Sequence, residues 1–173
     1  MGNKLKFYSS DIDFDNIDEI DLNHHFSPNA IRNSLNKKPV FSYRSIDLDK
    51  TEYKFNQDCF TNEDIKKYFQ ILNEFSNMSL NQILDSTQKY HFHESPLKGN
   101  LLDVFKRYTN NSNIRDYEIP SIYHFALYNS EDRDKASRKT GIKSPRIYFM
   151  IGSFCTFHIL FYDPYHEINP TNY

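Results

Sequence analysis

The stretch from Arg146 to Pro170, RIYFMIGSFCTFHILFYDPYHEINP, constrains the chain more than any other. Ile147–Ile151 and Phe157–Tyr162 are runs of β-branched and aromatic residues, the types that fit a pleated surface, and each is too short for an independent helix. Gly152 and Ser153 interrupt the pattern, so the segment reads as a β-hairpin with a connection of about four or five residues. Both faces of the hairpin are apolar. Ile147, Phe149 and Ile151 alternate with Tyr148 and Met150, and Phe157, Ile159 and Phe161 alternate with His158, Leu160 and Tyr162. Strands of that kind belong in the middle of a sheet with cover on each side. Asp163-Pro164 ends the second strand, because proline cannot donate to a ladder. A polar tail with Tyr165, His166 and Glu167 follows.

The rest of the chain supplies the cover. Thr61–Ser76 reads as a helix with Asp64 placed for a capping box and a stripe of Ile65, Tyr68, Phe69, Leu72 and Phe75. Ser79 and Gln82 repeat the capping pattern at the start of a short helix through Ser86, and Asn100–Tyr108 gives a third helical stripe. PVFSYRSIDL, residues 39–48, reads as a strand with Arg44 in its middle, where an inward cation needs a carboxylate or phosphate partner. SIYHFALY, residues 121–128, is another strand, and its His124 fits a satisfied, semi-buried histidine. The expected fold is α+β: a mostly antiparallel sheet of about four strands, ending in the C-terminal hairpin and packed by two or three helices.

The 173 residues suit one domain from 37 to 173, preceded by an acidic arm over residues 1–36 that carries Asp11, Asp13, Asp15, Asp18, Glu19 and Asp21. Ser27-Pro28 can open a short helix in that arm. Only 38% of residues are hydrophobic, but 13 Tyr and 15 Phe supply large buried areas. Two cysteines, Cys59 and Cys155, give neither zinc spacing nor a disulfide framework. With no membrane-length apolar run and no signal-peptide pattern, a cytoplasmic protein is expected. A net charge of −2 gives no global field for nucleic acid. The local exception is residues 133–146, where Arg133, Lys135, Arg138, Lys139, Lys143 and Arg146 outnumber Asp132 and Asp134. Clustered cations of this kind displace counterions from a phosphate backbone.

Chemistry-bearing residues fall in two places. Tyr90-His91-Phe92-His93-Glu94 puts both histidines on one face if it is extended. The tail adds Tyr165, His166 and Glu167. Histidine suits acid–base work because it titrates near neutrality. Cleaving RNA without a metal needs a base for the 2′-hydroxyl, cations for the phosphate and an acid for the leaving oxygen. The candidates are therefore His91, His93 and His166, assisted by Tyr165 and Glu167, with Arg44, Arg133, Arg138 and Arg146 as phosphate contacts. No cofactor or metal is expected. A metal-dependent variant would use His91, His93, Asp163 and His166, which are suitable ligand types.

The segments PVFSYR, FSNMSLNQI, HFHE, SIYHFALY and RIYFMIG…FHILFYDPYHEI, in this order over residues 39–168, resemble a family of small bacterial proteins found near mobile elements. Leu80 stands where that family's pattern has tryptophan. In outline the chain is also similar to RelE/ParE-type toxins, in which helices precede an antiparallel sheet. That resemblance implies roles for Arg146 and for Tyr165 or His166, although this chain is longer, more acidic and poorer in cations on its last strands. The two readings are a toxin-like RNA-binding or RNA-cleaving protein contacting RNA through residues 133–146, and a phage- or plasmid-coded inhibitor or immunity-type protein without chemistry. The second reading uses the acidic arm to bind a partner protein, and the many tyrosines suit such recognition.

Overall fold

A computed structural model describes residues 32–128 and 145–170. Five strands form one sheet: β1 (Val40–Ser42), β2 (His93–Ser95), β3 (Ile122–Ala126), β4 (Arg146–Gly152) and β5 (Thr156–Asp163). Their spatial order is β1-β5-β4-β3-β2. β1 pairs with β5 in parallel, and the other three pairings are antiparallel. The fold is thus α+β with a mixed, mostly antiparallel sheet. It has one strand more than expected, because the three-residue β2 is too short to show as an alternating run.

The hairpin occupies the interior of the sheet, as its two apolar faces require, and every residue of β4 is buried. Its connection is tighter than expected, a single 3-10 turn over Ser153–Cys155 with Phe154 at φ 59°. A register shift between Tyr148 and Phe149 pairs these with Phe161 and Ile159, leaving Leu160 as an extra residue on β5. Such a bulge reverses the alternation beyond it. Phe161 therefore faces away from Phe157 and Ile159, and Tyr162 joins them, which corrects simple alternation along β5.

The long helix α1 (Asn62–Ser76) closes its capping box through Thr61 and Asp64. It buries Asp64, Tyr68, Ile71, Leu72 and Phe75, whereas Phe69, expected in the stripe, is 57% exposed. Two short helices follow, α2 (Leu80–Asp85), capped by Ser79 and Gln82, and α3 (Thr87–Tyr90). The fourth, α4 (Asn100–Tyr108), starts after Gly99, whose φ of 55° would strain a residue carrying a side chain.

Each sheet face has its own core. On the first face, Phe75, Leu80, Ile83, Tyr90 and Phe92 pack against Phe125, Ile147, Phe149, Ile151, Phe157 and Ile159. Phe149 and Phe157 stack there, with ring centroids 4.7 Å apart. On the second face, Leu101, Val104, Phe105 and Tyr108 of α4 pack with Ile122, Tyr148, Met150, Leu160, Phe161 and, from the C-terminal tail, Ile168.

The strand expected over residues 39–48 is only three residues long, and Arg44 is an exposed turn residue beyond it. The chain turns away because buried Asp47 gathers its local backbone: its carboxylate accepts the N–H groups of Asp49 and Lys50 and the Thr51 hydroxyl. Such local acceptance competes with strand pairing. Most of the acidic arm, with Ser27-Pro28, and Arg133 and Arg138 lie outside the described residues, while residues 32–34, within the helix expected through Leu35, are helical. Among the described residues, no helix is long and apolar enough to cross a membrane.

Candidate functional site

The second face carries the polar groups. Antiparallel register aligns His93 of β2 with His124 of β3, His124 with Tyr148 of β4, and Tyr148 with Phe161 of β5. The adjoining row aligns Ala126, Arg146 and Asp163. Directly opposed residues share a face, so a histidine pair, a tyrosine and an arginine lie together where an ordinary sheet would place aliphatic side chains. Three histidines surround His124. The His93 ring lies 4.1 Å from it between centroids, His166 lies 6.3 Å away, and His91 lies 6.0 Å from His93.

His124 is fixed in place. It is 2% exposed, and its Nδ1 is 2.6 Å from the Ser95 hydroxyl. Burial pushes its pKa down to about 2, with further lowering from His93, Arg146, His166 and His91, so it stays neutral. It is both the satisfied, buried histidine expected from SIYHFALY and the centre of the group.

His91 and His166 reach the group from irregular backbone. His91 caps α3 in the left-handed region at φ 52°, and His166 has φ 56°. This conformation costs about 1–2 kcal/mol for a residue other than glycine, and such strain gathers at functional sites. Two anchors hold it. Beside His91, the Tyr90 hydroxyl and Lys89 both donate to Glu74 of α1, Lys89 at 2.9 Å. Around His166, Asp163 accepts the backbone N–H groups of Tyr165, Glu167 and Ile168 at 3.3, 3.0 and 2.8 Å. The Asn100 amide, at the start of α4, donates to the Glu167 carbonyl at 3.1 Å. This strap over residues 164–170 is thereby pinned across the second face. Burial pushes the Asp163 carboxyl up, and its three backbone partners oppose that shift.

The candidates therefore divide. His91, His93, His166 and Arg146 come together. His91 precedes β2, so the two HxH histidines are not strand neighbours, contrary to the extended reading, yet their rings adjoin. Tyr165 is 49% exposed and turned toward Cys59. Glu167 is exposed, and its charge acts on Tyr53 and Asp163. Arg44 acts on His158, beside the opposite edge of the sheet, and burial followed by that arginine pushes His158 down to about 4. Among the described residues, no three His, Cys, Asp or Glu side chains are arranged to hold an ion, and Asp163 is engaged by backbone N–H groups.

Sequence reasoning missed Ser95 and Tyr148 as members of the group. The available signal was the register: once β2 is paired with β3 through His93 and His124, Tyr148 follows in the same row. No family model, curated protein or solved structure matches this chain.

Proposed function

We propose that this chain binds RNA on the second face of its sheet and cleaves it by histidine acid–base catalysis. The observation that carries the reading is the convergence of His91, His93 and His166 on neutral, buried His124 beside Arg146. His93 is exposed on the edge strand and takes the proton from a ribose 2′-hydroxyl. The O2′–P bond then forms as the P–O5′ bond breaks. A protonated imidazole of the strap, His166, gives its proton to the departing O5′, leaving a 2′,3′-cyclic phosphate and a 5′-hydroxyl. Arg146 offsets charge on the phosphoryl oxygens, and His91 supports His93. His124 is a positioning residue, because its ring stays neutral. The basic run of residues 133–146 ends in Arg146 and supplies cations for the backbone of a longer RNA.

The test is cleavage of an end-labelled RNA by purified protein, alongside the same oligonucleotide with one 2′-deoxy position. Cleavage should stop at the deoxy position and leave a cyclic phosphate elsewhere. His93→Ala and His166→Ala should each slow it by about 100-fold or more. Equal cleavage of the deoxy position would remove the 2′-hydroxyl mechanism. The toxin-like role rests on the resemblance to small mobile-element proteins. It requires growth arrest on induced expression that these variants relieve.

A further inference from the structure

The row through the histidines continues to Tyr148, a group the acid–base chemistry does not use. Among the described residues, the Tyr148 hydroxyl is fully buried without a hydrogen-bond partner, and the side-chain nitrogen of Asn169 on the strap is likewise buried without one. An unsatisfied buried polar group costs about 1–3 kcal/mol, so two at one place call for an account. They are neighbours. The Asn169 amide lies close enough to the phenol to lower its pKa, although no hydrogen bond closes between them. Arg146 acts on the same hydroxyl from the next row, and the His124 ring lies 5.2 Å from the Tyr148 ring.

The groups gathered here donate. The Tyr148 O–H, the Asn169 N–H and the Arg146 guanidinium can each offer a proton to an oxygen. Burial, and then Asp163, push the phenol well above its ordinary value, so it keeps its proton across the working pH range. Asp163, which acts on the phenol as an opposing charge, accepts three backbone N–H groups. Asn169 is itself only partly buried.

We infer that the Tyr148 hydroxyl and the Asn169 amide, with Arg146, form an oxyanion site that takes the non-bridging oxygens of a phosphate group. This rests on the RNA-cleaving reading, in which that phosphate is the scissile one. Inorganic phosphate is the probe. Titration calorimetry at constant ionic strength, with chloride as the control, should show phosphate binding to wild-type protein. Loss of a hydrogen bond to a charged group corresponds to about tenfold or more in affinity, so Tyr148→Phe should weaken binding by at least that factor. Asn169→Ala, an alternative if the phenol variant is unstable, should weaken it several-fold. Phosphate should also inhibit RNA cleavage competitively.

Tyr148-dependent phosphate binding without RNA cleavage would keep the site and remove the nuclease reading. RNA cleavage by a protein that does not bind phosphate, or that binds it equally well as Tyr148→Phe, would overturn the site and leave the nuclease reading standing. A bridging water that satisfies both groups gives this second result.

Discussion

The two faces of the sheet are cut from the same strands and do different work. On the first face, β3, β4 and β5 present Phe125, Ile147, Phe149, Ile151, Phe157 and Ile159 to the long helix and its two short successors. On the second, Ile122, Met150, Leu160 and Phe161 share the surface with His124, Arg146, Tyr148, His158 and Asp163, all buried. Buried polar and ionisable groups cost free energy that an aliphatic core would not incur. The buried histidine, arginine and aspartate side chains on the described strands project to the second face, as the paired registers place them, whereas the buried tyrosines Tyr123 and Tyr162 face the first. A sheet that needed only stability would fill both faces alike. The first face is built for stability, and the second carries the buried polar groups on which the proposed chemistry rests.

The sharpest way to break that comparison is to damage the first face. Phe157 is fully buried and stacked on Phe149, so Phe157→Ala should cost about 3–5 kcal/mol by denaturant titration. A loss below about 1 kcal/mol would mean that this face is not the stabilising one.

The pH dependence of stability reads the second face directly. Burial holds His124 down at about 2 and His158 at about 4, both below the value of about 6.5 in an unfolded chain. Below pH ~6.5 the unfolded chain therefore binds more protons, so folding stability falls as pH falls. The slope is about 1.4 kcal/mol per pH unit for each histidine. The His158 contribution levels off near pH 4, and that of His124 continues toward pH 2. Around His124 the facing groups are His93 and Ser95 on β2, Arg146 and Tyr148 on β4, His91 after α3 and His166 on the strap. His124→Leu leaves Ser95 without its partner but should flatten the slope between pH 6 and 4 by about half, as measured by unfolding at each pH. An unchanged slope would place the titration elsewhere.

The smallest expected effect separates position from stability. Glu74 holds Lys89 and buried Tyr90 next to His91, and the Lys89–Glu74 pair is about half exposed. Glu74→Gln should therefore cost less than about 1 kcal/mol. By freeing the left-handed turn at His91, it should still slow RNA cleavage several-fold and shift its pH profile. A stability loss with unchanged cleavage would make the clasp purely structural.

Much of this architecture is legible in the residues. The capping pairs Thr61/Asp64 and Ser79/Gln82 announce their helices, and the doubly apolar hairpin announces the interior of the sheet. What escapes is non-local. The bulge at Leu160 depends on pairing with β4, so alternation alone puts Phe161 and Tyr162 on the wrong faces. β2 is three residues long and has no periodicity to read. Arg44 sits in a convincing alternating run that Asp47 overrides by collecting nearby backbone N–H groups. At the site, the HxH spacing and the DPYHE tail single out histidines that the fold brings together. Their meeting at His124 requires two registers and a pinned strap that no single stretch of sequence contains.

The most direct test of the division between the faces is RNA cleavage by His93→Ala beside wild type, with the denaturation midpoint determined on the same preparations. His93 is exposed on an edge strand, so its loss should change stability by no more than about 0.5 kcal/mol. Cleavage should fall by about 100-fold or more. Intact RNA after incubation with wild-type protein, or equal cleavage by both proteins at equal stability, would contradict the account.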